Sequence, residues 1–155
     1  TGDSVFLVVR SGFDSVCIER IEGSYPITAR TLDVGGRRPL GSGAGSLAIL
    51  INLPEPEMER VIEVNTPRFR EFGHLTLERL RSAIRISRRV GYAVNDEDVL
   101  ANVGAIGMPL RLGQTGTPYA AVSIAGIASR FAGRRREELA QSLAKELHTL
   151  EKKVG

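Results

Sequence analysis

The chain contains no tryptophan, a single cysteine and two histidines, and aromatic residues make up only 5% of it. Each shortage excludes something. Cys17 alone can build neither a disulfide framework nor a cysteine-based zinc site, and it fits a reducing, cytoplasmic compartment. His74 and His148 have no neighbours at metal-ligand spacing and read as surface or capping residues, so neither a metal nor a cofactor is expected. So few aromatic rings make poor material for stacking nucleic-acid bases. The longest apolar run falls far short of the ~18 residues that span a bilayer, and the opening residues carry no signal-peptide pattern. A membrane is therefore not an expected partner. Catalytic machinery is missing too: no G-x-S-x-G elbow surrounds Ser123, and no carboxylate pair stands out. The expectation is not an enzyme.

What is present is ordinary in bulk. A chain of 155 residues with 42% hydrophobic and 25% charged residues predicts one domain over residues 1–155. It starts at Thr1-Gly2 without methionine and reads as a piece of a longer protein. The net charge of +3 invites a nucleic-acid reading. The arginines weaken it, because Arg79, Arg81, Arg85, Arg88 and Arg89, and Arg134 to Arg136, each have acids close by, as a solvated face does.

The patterning predicts an α+β order. Val5 to Arg10 and Ser15 to Ile21 read as a hairpin turned at Ser11-Gly12-Phe13-Asp14, and Ile27 to Leu32 as a third strand before the loop DVGGRRP. A short buried helix is expected from Ser42 to about Asn52, stopped by Pro54. A second follows over Glu55 to Val64, with acids in its first turn. Thr76 should cap a third helix that ends at Val90 and Gly91, with Leu77, Leu80, Ile84 and Ser87 along its inner stripe. Val103 to Leu112 and Tyr119 to Ile127 flank GQTGTP as a hairpin. The tail from Arg135 to Val154 is a last amphipathic helix, with Leu139, Leu143, Leu147 and Leu150 on one side. Strands, helices, strands and a helix in that order imply an antiparallel sheet carrying helices, not a parallel βαβ fold.

Residues 41 to 46, GSGAGS, are the most informative stretch. Small residues at a helix start leave the first backbone N–H groups unshielded, and these suit an anion. The stretch lacks the GK[ST] ending of a P-loop and the G-x-G-x-x-G spacing of a dinucleotide site. Close packing and a site for a small anion or polar ligand both remain open. A hydroxyl at Ser123, within the apolar run AAVSIAGI, either bonds a neighbouring backbone group or faces a ligand.

Three stretches together, VFLVVRSGFDSVCIERIEG, GGRRPLGSGAGSLAIL, and GYAVNDEDVLANVGAIGMPL with YAAVSIAGIASR, resemble the effector-binding domain of IclR-type transcriptional regulators. The resemblance implies a GAF-like, profilin-like domain with a curved antiparallel sheet of about six strands and helices packed on it. It also implies a winged helix-turn-helix domain ahead of this segment, so DNA would be bound only through that missing part. Self-association as a dimer or tetramer is implied, and so is a small-metabolite effector, often an organic acid. Carried over by position, Ala44 and Gly45 would offer amides to a carboxylate. Asn95, Ala105, Ser123 and Ala125 would complete the site, and Leu40, Gly43 and Val103 would line it. The chain departs from the family where aspartate, cysteine, a second serine and lysine are usual, with Asn95, Ala105, Ala125 and Leu47. Those losses point to an effector larger or more apolar than a two- or three-carbon keto acid, such as an aromatic acid. The alternative is a ligand-free interaction or scaffold domain with a vestigial pocket.

Overall fold

The structure, a computed structural model, describes residues 2–24, 32–72, 74–96, 102–113 and 116–154. Strands β1 (Ser4–Ser11), β2 (Asp14–Ile21), β3 (Arg37–Pro39), β4 (Ala93–Asp96), β5 (Val103–Leu110) and β6 (Ala120–Ile127) join in one antiparallel sheet, ordered β3-β2-β1-β6-β5-β4. The sheet curls into a half-barrel, consistent with the α+β, GAF-like architecture. Helices α1 (Ala44–Leu50), α2 (Glu55–Asn65), α3 (Leu77–Val90) and α4 (Gly133–Val154) complete it, with short 3-10 turns at Thr66–Glu71 and Ala128–Phe131.

Side chains alternate across the strands with period two, so each strand feeds two cores. Phe6, Val8, Cys17, Ala93, Ala105, Ala121 and Ala125 face inward and join the apolar residues of α1, α2 and α3. Ile106, Leu110, Ala120 and Ile124 face the other way and meet Leu139, Ala140, Leu143 and Leu147 of α4 together with Phe131. The N-terminal end of β1 is fastened by charge. Arg130 Nε and a terminal nitrogen of Arg135 each donate to the Asp3 carboxylate at 2.9 Å, and that side chain is 1% exposed.

Several expectations shift. The strand expected over 27–32 lies outside the described residues except for Leu32, and the supposed loop DVGGRRP contains β3 instead. The third strand forms where Arg37, Arg38 and Pro39 can pair with Val16, Ser15 and Asp14. Strand β4 was not foreseen. Its four residues are held by pairing with β5 and by Val94 N donating to Ser87 Oγ of α3 at 3.0 Å. Within GQTGTP, residues 114–115 lie outside the described residues.

Helix α1 is shorter than expected, because Gly43 at φ 91° cannot belong to a right-handed helix and Ile51 and Asn52 form a turn. Helix α3 is capped as read, with Thr76 Oγ1 accepting from Arg79 N at 3.1 Å and Gly91 left-handed at φ 90°. Its buried stripe is Leu80, Ala83, Ile84 and Ser87. Leu77 is 40% exposed, since the first turn opens onto a groove beside Ile62 and Thr66 of the neighbouring segment. Leu150 is 41% exposed for a similar reason: it stands in a groove between α4 and the sheet, shared with Val5 and Val122. Both histidines are exposed.

Candidate functional site

The inward face of the sheet is not filled everywhere. A cavity of about 40 Å³ lies between the start of α1 and the strands, bordered by Phe6 and Val8 of β1, Ser15 of β2, Arg38 of β3, Asn95 of β4, Val103 and Ala105 of β5, and Ser123 and Ala125 of β6. Ser42 to Ser46 close it from the helix side, with Leu32 at its border. Small side chains on β5 and β6 create the space: Ala105, Ser123 and Ala125 stand where larger residues would reach α1.

Three glycines let the helix start come so close. A Cβ on Gly107 of β5 would fall inside the backbone of Ala44 and within 2.9 Å of Gly45 N. A Cβ on Gly45 would lie 2.9 Å from Val8 Cγ2 and 3.5 Å from Ser123 Oγ. At Gly43 the requirement is conformational, since φ 91° is open to glycine and strained for other residues, and the space beside it is empty. Packing and cup are therefore both present in GSGAGS. The first intrahelical bond runs from Leu47 N to Gly43 O at 2.8 Å, so the amides of Ala44, Gly45 and Ser46 have no acceptor within the helix.

The polar groups around the cavity differ in how well they are satisfied. Ser46 Oγ accepts from Gly41 N at 2.9 Å and donates to Pro39 O at 3.4 Å, which fixes the turn ahead of α1. Ser42 Oγ is buried and has no hydrogen-bond partner among the described residues. Arg38 is half-buried, and burial pulls its guanidinium below the ordinary arginine value. Cys17, fully buried nearby, donates its thiol to Glu19 O at 3.4 Å, and burial pushes that thiol up, keeping it neutral. Among the described residues, no Asp or Glu borders the cavity.

Of the residues predicted for the site, Gly43, Ala44, Gly45, Asn95, Val103, Ala105, Ser123 and Ala125 all border this cavity. Leu40 does not. It is fully buried in the apolar core, because its amide is bonded to Phe13 O and the adjoining Gly41 packs on Leu50 and Leu80. At about 40 Å³ the cavity exceeds the roughly 10–15 Å³ that one water needs. Phe6, Val8, Ser15, Leu32, Arg38, Ser42 and Ser46 were missed. The strand alternation of VFLVV and SVC carried a signal for the first three, and Ser42 and Ser46 stood within GSGAGS; for Arg38 there was none, since its role depends on the register of β3. Among the described residues, no group of three or more His, Cys, Asp or Glu could hold a metal ion.

Comparison with known proteins agrees with this architecture. The family described as "Bacterial transcriptional regulator IclR C-terminal" matches residues 1–150. The HTH-type transcriptional regulator KipR of Bacillus subtilis is 30% identical over 154 residues, 99% of this chain and 61% of that protein. The crystal structure of the Thermotoga maritima IclR superposes with a TM-score of 0.82 at 29% identity, over 100% of this chain and 62% of that one. The Agobacterium tumefaciens repressor BlcR shares the fold, with a TM-score of 0.78 at 23% identity over 99% of this chain and 60% of that one. The chain thus spans about three fifths of the length of these relatives. It belongs to the IclR family and corresponds to the C-terminal domain of its members.

Proposed function

We propose that this IclR-family domain senses a small organic acid in the cavity at the start of α1, and that the whole protein uses the signal to regulate transcription. The observation that carries the reading is the buried hydroxyl of Ser42, without a partner among the described residues, at the border of a cavity with small residues on the opposite strands. An unmet buried hydroxyl costs about 1–3 kcal/mol, and a ligand that satisfies it recovers that cost. In the whole protein, DNA binding would belong to a segment other than this domain, and occupancy of the cavity would bias how the domains associate. A second reading, an interaction domain whose cavity is vestigial, draws on the small cavity and on the apolar groove formed by Val5, Val122, Ile124, Leu147 and Leu150 on the outer face. Cytoplasmic location and self-association are part of the first reading.

A thermal-shift panel of small carboxylates, aromatic acids, neutral amides and polyols separates the two. A compound that binds only the folded chain raises its Tm with concentration, following RT ln(1 + [L]/Kd). Stabilisation by at least one small polar compound is expected. A panel that leaves the Tm unmoved at millimolar concentrations would leave the scaffold reading in possession.

A further inference from the structure

We propose that Arg38 sets the charge of the effector: the cavity takes a small anion, and the Arg38 guanidinium is its counter-ion. The proposal rests on reading the cavity as the effector site. It starts from the register of β3, where Arg37 stands opposite Val16 and Arg38 opposite Ser15. Adjacent residues on a strand point to opposite faces. Arg37 points outward, is exposed, and donates to Asp14 at 3.3 Å and to the Ser11 hydroxyl at 3.1 Å. Arg38 points inward, onto the cavity beside Ser15 and Ser42.

The two arginines differ in their partners as well as in direction. Asp14 also accepts from Arg68 at 2.6 Å, so this carboxylate is already engaged by two arginines. Arg10, Arg20, Arg81, Arg88, Arg130 and Arg135 each reach a carboxylate within 3 Å. Arg38 has neither an ion pair nor a hydrogen bond among the described residues. Among the described residues the cavity supplies no internal substitute: its other polar side chains are Ser15, Ser42, Ser46, Asn95 and Ser123, none of them an anion. The neutral thiol of Cys17 is none either.

A guanidinium stays charged inside proteins, so it cannot escape burial by losing its proton. An unpaired half-buried charge is unfavourable until something neutralises it. A carboxylate does this best, because its two oxygens match the planar fork of arginine. The cavity, at about 40 Å³, is larger than one water needs and so has room for a ligand group beside Arg38. Ser42, at the same border and equally without a partner, is placed to donate to that acid.

The test uses acetate, propionate and pyruvate, each set against its neutral amide, in calorimetric titrations of the 155-residue chain. The acids should bind and the amides should bind at least tenfold more weakly. Arg38→Gln should lose at least tenfold in affinity for the acids and erase the preference over the amides, while Arg38→Lys should keep part of it. Without ligand, Arg38→Met should melt at a higher temperature than the parent, which guards against mistaking an unfolded variant for one that cannot bind. Amides that bind as well as acids, or an Arg38→Gln that binds acids like the parent, would overturn the role of Arg38 and leave effector sensing standing. Binding of neither series, together with a panel that never moves the Tm, would overturn both.

Discussion

The two faces of the sheet are built from the same strands and do opposite things. On β6, Ala120, Val122 and Ile124 look outward, with Ala120 and Ile124 packed into the cluster under α4, while Ala121, Ser123 and Ala125 look inward toward the start of α1. The outer set joins Leu139, Leu143 and Leu147 in an apolar layer, beside which a groove lined by Val5, Val122, Ile124 and Leu150 stays open. The inner set is small and in part polar, and a cavity remains. Asp3 at the outer rim is held by two arginines, whereas Arg38 on the inner face has no counter-ion among the described residues. On the outer helix α4, Arg136 Nε is buried without a partner among them as well. The gap on the outer face is a mostly apolar groove, whereas the one on the inner face is bordered by Arg38 and by the hydroxyls of Ser15, Ser42 and Ser123.

The sharpest way to break this comparison is to damage the face under α4 and ask whether the other notices. Leu143 is 6% exposed and sits at the middle of the α4 stripe. Leu143→Ala should cost about 2–5 kcal/mol, from lost transfer energy and the void left behind. Urea unfolding should show a lower midpoint at an unchanged slope. The affinity for a small acid, measured where the variant is still folded, should stay within about twofold of the parent, because distant sites are nearly independent.

The charged rim predicts a smaller effect that depends on pH. Burial acts to raise the Asp3 pKa, but the hydrogen bonds and charges of Arg130 and Arg135 outweigh it, and the carboxyl is held below its ordinary value of 3.8. A folded value lower than the unfolded one means that the carboxylate stabilises the fold above the unfolded value. That stability is lost as the pH falls through the folded value. Asp3→Asn should therefore cost about 1–3 kcal/mol at pH 7, a figure reduced by the partial exposure of both arginines. The gap to the parent should be full above about pH 5 and close progressively below pH 4. A gap that stayed constant from pH 7 to pH 3 would show that geometry, not charge, fastens β1.

How much of this was legible in the sequence depends on the scale of the signal. The order of strands and helices was legible, because period-two and period-three-to-four patterns ran long enough to register. So were the ends of α3, where the Thr76 hydroxyl and the left-handed backbone open to Gly91 carry the cap chemistry locally. Strand β4 was not: Ala93 to Asp96 has no pattern of its own and becomes a strand only because β5 pairs with it. Most of the cavity border was named in advance, but from the likeness to a family, since the small residues of SIAG and AIG say only that something packs closely. Arg38 was invisible. In GGRRP two arginines stand side by side, and only the register of β3 decides which is paired at the surface and which is half-buried without a partner.

The smallest effect concerns two serines four residues apart, and it tests the inner face directly. Ser46 has its hydroxyl engaged with Gly41 N and Pro39 O, while the buried hydroxyl of Ser42 has no partner. Removing an engaged hydroxyl strands its partners and should cost about 1 kcal/mol, so Ser46→Ala should be less stable than the parent. Removing an unmet one relieves a desolvation cost, so Ser42→Ala should be unchanged or more stable by up to about 1 kcal/mol. In the presence of a binding acid the advantage should reverse, with affinity a few-fold lower for Ser42→Ala. Paired thermal melts of the two variants, with and without the acid, read both signs. If Ser42→Ala loses as much stability as Ser46→Ala and the acid stabilises it as well as the parent, the Ser42 hydroxyl is part of an ordinary core. The inner face would then differ from the outer one only in the size of its side chains.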